Sequence, residues 1–237
     1  MIFSKDLRVR SLFEKETCSY TYLVYETNSK SALIIDPVKE TFSRDCQLID
    51  ELGLKLEWIL ETHLHADHIT SADSLARKYN AKIGLSSVAK VKSDYVLGLE
   101  DNSEIELTAN FKFKTMHTPG HTNCSVCFLI NDLLFSGDTL FIRGCGRTDF
   151  QQGSNADLFN NVREKLFTLD DDTIVLPGHD YKGEISSTIG EEKAFNPRLK
   201  LENSLEDFSK IMNGLNLSYP KKIDVALPAN KMCGRVD

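Results

Sequence analysis

Glu61-Thr62-His63-Leu64-His65-Ala66-Asp67-His68-Ile69 is the stretch on which the reading of this chain turns, for it packs His63, His65, Asp67 and His68 into H-x-H-x-D-H directly after the apolar run Leu56 to Leu60. Transition-metal sites need imidazole and carboxylate donors converging at about 2.0–2.2 Å from the ion, and a strand that ends in a tight turn aims alternate residues the same way. A bare H-x-H would be a weak signal. The remaining histidines strengthen it: all six fall in three short segments, with His117 and His121 around Pro119-Gly120 and His179 after Pro177-Gly178. Each segment ends or follows a strand-like run and carries turn chemistry, so each reads as a loop at one edge of a sheet. Loops on one edge can converge.

The 237 residues suit one large domain, read here as a single domain over 1–237, and an apolar fraction of 41% supports a buried core. A formal net charge of -7 with no long basic run argues against nucleic acid or an anionic membrane surface as partner. No apolar stretch approaches the ~18–20 residues of a membrane span, and the N-terminus lacks a signal-like apolar region. Six cysteines in this length are too sparse for a disulfide scaffold. A reducing, cytoplasmic setting is the expectation. Cys124 and Cys127 form a lone C-x-x-C inside a strand-like run, where i and i+3 point to opposite faces, so they read as buried small apolar residues.

Taken in order, Tyr20–Tyr25 and Ala32–Ile35 read as antiparallel strands joined by the polar turn beginning Glu26-Thr27-Asn28-Ser29. Thr41 starts a helix with Phe42, Cys46 and Ile49 on one face and Gly53 at its end. The strand Leu56–Leu60, a helix over Ser71–Tyr79 and a strand over Ile83–Leu85 give a β-α-β rhythm. Strands follow at Ile105–Leu107, Phe111–Thr115, Ser125–Ile130 and Leu133–Phe135, then a helix over Ala156–Phe167 and a strand at Thr173–Leu176. Ser204-Leu205-Glu206-Asp207 has the form of a capping box before a last amphipathic helix. Strands then helix, twice over, predict an α+β protein of two sheets flanked by helices.

The ordered set H-x-H-x-D-H, Thr118-Pro119-Gly120-His121-Thr122, Gly137-Asp138-Thr139-Leu140 and Pro177-Gly178-His179-Asp180-Tyr181 closely resembles the metallo-β-lactamase superfamily. The resemblance implies an αβ/βα sandwich of two mixed sheets. Within it, Ile142-Arg143-Gly144-Cys145-Gly146-Arg147-Thr148-Asp149-Phe150-Gln151-Gln152-Gly153 looks like the persulfide dioxygenase branch, as do Asn196-Pro197-Arg198-Leu199 and Ala229-Asn230 before Cys233-Gly234.

That branch implies one Fe(II) per chain on His63, His121 and Asp138, with open positions for substrate and O2, the general logic of non-haem iron oxygenases. His65, Asp67, His68 and His179 are the positions at which related two-metal hydrolases complete a binuclear site; with one metal they would orient the ligands and hold water. Arg143 and Arg147 fit two-point grip of a carboxylate, and Tyr181 a hydroxyl near the reacting centre. Asp149 reads as an anchor for the arginine loop, and His117 as structural. The implied activity is oxidation of glutathione persulfide, or a similar thiol persulfide, with O2 to sulfite and free thiol, in a homodimer. A binuclear thioesterase resembling glyoxalase II is the alternative, though such hydrolases carry a longer helical C-terminal part than the 58 residues after His179. A non-catalytic metal or sulfur carrier is a third possibility.

Overall fold

The computed structural model describes residues 6–235. Its first sheet sets β1 (Leu7–Glu14), β2 (Ser19–Glu26), β3 (Ser31–Ile35), β4 (Lys55–Leu60), β5 (Lys82–Ser86) and β6 (Val96–Leu99) side by side in chain order. β1 to β3 pair antiparallel, and β3 to β6 pair parallel. The change has a simple origin. Antiparallel neighbours can be joined by a tight turn, whereas parallel neighbours need a crossover, and α1 (Phe42–Glu51) and α2 (Ala72–Tyr79) provide the first two. The β2–β3 turn is held by the Glu26 carboxylate, which accepts from the amides of Ser29 and Asn28 and is pulled down to about 2 by these bonds. Leu33, Ile34 and Ile35 are all fully buried, the continuous apolar run of a strand covered on both faces.

The second sheet has the order β12-β11-β10-β9-β8-β7, from β7 (Glu104–Thr108), β8 (Phe111–His117), β9 (Val126–Ile130), β10 (Leu133–Gly137), β11 (Ile174–Pro177) and β12 (Ser187–Thr188). β8, β9 and β10 pair antiparallel, while β10 and β11 pair parallel across a connection containing α3 (Asn155–Glu164). Both sheets are therefore mixed, as expected. Helices flank them: α2 packs on β4 and β5, and α4 (Ile189–Phe195) on β12. The register of β10 against β11 slips between Phe135 and Gly137, so the strand is irregular at the residues leading into Asp138.

The chain folds into two compact units. One holds the chain up to Leu99, Ile105–Lys112 and the segment from Pro220 onward, including α6 (Ile223–Asn230); the other holds Glu100–Glu104 and Phe113–Tyr219, including α5 (Leu205–Asn213). In the second unit Leu134, Leu140, Leu158, Val162, Val175 and Phe208 belong to one buried apolar cluster. The capping box before α5 is present, with Ser204 and Asp207 bonding each other's backbone amides. Gly53 ends α1 region with φ +62, the left-handed geometry its sequence position called for.

β1, β6, β12 and α4 have no counterpart in the sequence reading, and three further elements depart from it. The helix expected over Ala156–Phe167 stops at Glu164, with Lys165 as its C-cap, and continues as a 3-10 turn at Leu166–Thr168. The strand expected from Ser125 begins at Val126, since the Ser125 hydroxyl is used by the preceding turn as acceptor for the Thr122 amide. α6 carries Pro228 inside two turns and lacks a strong apolar stripe, so periodicity did not mark it. No helix among the described residues is long and apolar enough to cross a membrane.

Phe113 is 0% exposed and lies with its ring centroid 6.0 Å from that of Phe135. Phe113→Ala should therefore lower the unfolding free energy by about 3–5 kcal/mol, the usual range for an aromatic core truncation. Urea unfolding followed by circular dichroism measures it; a loss below ~1 kcal/mol would mean that the second unit refills the void and that this ring is dispensable.

Candidate functional site

In the first unit, β4 delivers Glu61, Thr62 and His63 to the edge of the sheet beside the residue that follows β3. That residue is Asp36, held at φ +49 with its amide donating to the Leu60 carbonyl at 2.9 Å. Its carboxylate accepts from the Thr62 amide and the Thr62 hydroxyl, both at 2.7 Å. Thr62 Oγ1 in turn lies 3.0 Å from Nδ1 of the buried His63. His65 points into the same cluster: its Nε2 is 3.2 Å from Asp36 Oδ1 and 3.2 Å from Glu61 Oε2, bracketed by two carboxylates without a straight hydrogen bond to either. Burial disfavours a charged ring here, but Asp36 and then Glu61 outweigh it and hold His65 well above the ordinary histidine range. Glu61 also accepts a short bond from the Thr70 hydroxyl.

The loop then closes on itself. The ring centroids of His63 and His65 are 4.1 Å apart and those of His65 and His68 are 4.3 Å apart. His68 Nδ1 lies 2.9 Å from Asp67 Oδ2, and its Nε2 is buried with no hydrogen-bond partner. Asp36, Glu61 and Thr62 escaped the sequence reading although Glu61 and Thr62 immediately precede the motif. The usable signal was a carboxylate at the end of an apolar strand, in the Asp36-Pro37 step.

The second unit contributes a carboxylate set between two imidazoles. Asp138 Oδ2 is 3.5 Å from His121 Nε2, and Asp138 Oδ1 is 3.6 Å from His179 Nε2. Asp138 Oδ1 is buried and has no hydrogen-bond partner. A methyl group on Gly178 would stand 2.6 Å from that oxygen, so the turn after β11 admits only glycine there. His121 Nδ1 lies 2.6 Å from the Arg147 carbonyl, a bond that puts the proton on Nδ1 and leaves the Nε2 lone pair facing Asp138. Gly146 makes this possible: a side chain on it would meet His121 Nδ1 at 2.7 Å, and its amide donates to the Asp138 carbonyl at 2.8 Å. Gly120, at φ +146, lets α3 pack directly against the turn carrying His121.

Donors of this kind, nitrogen lone pairs beside an orphaned buried carboxylate oxygen, suit a divalent transition metal. His179 also stacks parallel on Tyr181, with centroids 6.0 Å apart, and Tyr181 is 70% exposed. Three successive amides, from Lys182 to Glu184, donate to Asp180 Oδ2 and tie down the loop that carries Tyr181. His117 has its amide bonded to Asp101 and its carbonyl to Lys165.

The arginine loop is bound inward. Arg143 pairs with Glu191 at 3.0 Å and with Glu192 through a short contact, and its amide also donates to Glu192. Arg147 makes two bonds to Asp149, at 2.6 and 2.7 Å, and a third to the Ser218 carbonyl. Arg198, from the family-like segment Asn196-Pro197-Arg198-Leu199, donates to the Cys145 carbonyl at 2.9 Å. A cavity of about 390 Å³ opens alongside, lined by Arg147, Asp149, Asn155, Asn213 and Leu217 among others. Burial pushes the Cys145 thiol up to about 11.

Because Glu192 is completely buried while Arg143 is partly in water, Arg143→Ala should cost roughly 2–4 kcal/mol of stability, less than the 3–5 of a wholly buried pair. Thermal unfolding checks this. An unchanged melting temperature together with weakened substrate affinity would instead identify Arg143 as a substrate contact.

Residues 17–179 match the Metallo-beta-lactamase superfamily. The chain is 46% identical over 229 residues to persulfide dioxygenase ETHE1, mitochondrial, of Homo sapiens, covering 95% of this chain and 88% of that one. Among solved structures, ETHE1 from Myxococcus xanthus superposes with a TM-score of 0.92 at 42% identity, over 96% of this chain and all of that one. A metallo-beta-lactamase from Staphylococcus aureus gives 0.88 at 28% identity, over 98% of this chain and 74% of that one. With a family model over residues 17–179 and 46% identity to a persulfide dioxygenase over 95% of its length, the chain belongs to the metallo-β-lactamase superfamily and, within it, to the persulfide dioxygenase family.

Proposed function

We propose that this protein is a persulfide dioxygenase that holds one Fe(II) on His63, His121 and Asp138. The observation that carries the reading is Asp138, a half-buried carboxylate with one buried oxygen orphaned and an imidazole lone pair aimed at it by the Arg147 carbonyl. Family membership supplies the rest: the relatives named persulfide dioxygenase align with nearly the whole chain. Fe(II), when bound, supplies the redox capacity that O2 chemistry on sulfur requires and that zinc lacks.

The overall reaction balances as thiol persulfide plus O2 plus water giving free thiol plus sulfite and two protons. The chain's own groups set the stage for it. His121 is fixed in one tautomer by the Arg147 carbonyl, so it offers a neutral nitrogen without a rearrangement. His65 is committed to Asp36 and Glu61, so in this reading it shapes the loop and does not bind the ion. Tyr181, exposed and stacked on His179, is placed in this proposal to touch the substrate. Glutathione is the proposed carrier thiol, and the cytoplasm the proposed compartment.

The test is metal analysis joined to an oxygen-electrode and sulfite assay. Anaerobically purified protein should hold about one iron per chain, His121→Ala should lose it, and the loaded enzyme should take up O2 with glutathione persulfide and release sulfite. A second reading rests on His68 Nε2, buried and unpartnered beside Asp67 in a group with His65 that could hold another ion. Two metals per chain, no O2 uptake and rapid thiol release from a glutathione thioester would establish that hydrolase instead.

A further inference from the structure

We infer that Asn230, on the C-terminal helix, is a positioning residue that fixes the backbone of the His63–His68 loop in its metal-ready form. The inference rests on the proposed metal-holding role of that loop. Asn230 is buried, and one carboxamide meets three backbone groups: Nδ2 donates to the His65 carbonyl at 2.8 Å and to the His68 carbonyl at 2.9 Å, while Oδ1 accepts from the Thr70 amide at 3.0 Å. Both donors and one lone pair of the side chain are thus spent on a six-residue turn. No other type of side chain of that size carries two donors and an acceptor.

The surroundings hold the carboxamide in place. The Cys233 carbonyl accepts from the Asp73 amide at the start of α2, and the Gly234 backbone passes so close to Thr70 that an added Cβ would stand 1.8 Å from its carbonyl oxygen. Gly234 adopts φ +83, which glycine alone takes without strain. α6 has only eight residues and contains a proline, so the helix by itself is marginal. Its docking and the order of the histidine loop form one unit. A histidine turn whose carbonyls were left to water would sample several shapes, and each ligand would have to be ordered at the moment of binding. Asn230 removes that cost in advance.

Asn230→Asp keeps the shape, removes both donors and sets negative oxygens against two carbonyls; Asn230→Ala removes the group. Lys222→Ala, in the same segment but paired with Glu40 on the surface, is the control. The full-length proteins are loaded with Fe(II) and separately with Co(II), and metal release to a chelator is followed beside the visible cobalt spectrum. Both Asn230 variants should release metal ~10–100-fold faster, the range seen when groups that orient ligands are lost, with a shifted cobalt band, while Lys222→Ala matches the parent. A lower melting temperature with unchanged release and spectrum would reduce Asn230 to a fold-stabilising residue and overturn the inference. Hydrogen exchange on the metal-free parent covers failure of the variants to fold and failure of the iron reading alike. The Thr70 amide should exchange together with the amides of α6, and independent exchange of the two would also overturn it.

Discussion

The Asp36 carboxylate is the group on which the histidine loop depends. It follows β3 in left-handed backbone geometry, takes both available donors of Thr62 and brackets His65 with Glu61. A buried carboxylate is costly unless its lone pairs are used and a positive partner is near. Here both conditions are met, and the loop that meets them is the loop that carries His63. The requirement to satisfy one buried charge therefore dictates where Thr62 sits, and with it the ring next in the chain.

The second unit reaches a comparable result by different means. No buried cation accompanies Asp138; glycines do the shaping. Gly178 and Gly146 let backbone pass within contact of Asp138 and His121, and backbone carbonyl and amide groups then orient both. Backbone dipoles stay put when a metal arrives or leaves, so this half of the donor set is rigid.

Much of this was legible in the sequence, and for identifiable reasons. The strands were readable because β3 carries the apolar run Ala32 to Ile35 and β4 ends in Trp58-Ile59-Leu60, and α5 because Ser204 and Asp207 cap it reciprocally. His63, His121, Asp138 and His179 stood out because each follows a strand inside a compact motif. What could not be read were partners remote in the chain. Asn230 lies 165 residues from His65, and no spacing rule connects them. The arginine loop divides: Asp149, expected as its anchor, does pair with Arg147, whereas Glu191 and Glu192, remote in the chain, were not foreseen as partners of Arg143. Residue type foretold the chemistry of the contact but not whether the partner was a ligand or a neighbour.

The cysteines bear on what such a protein must survive. Five of the six are buried, and burial pushes the thiols of Cys127 and Cys145 up to about 11. Thiolates, not thiols, attack persulfides and disulfides, and at neutral pH a thiol of that acidity is almost wholly protonated. A protein of a family that handles reactive sulfur thereby keeps these two buried thiols out of exchange with it.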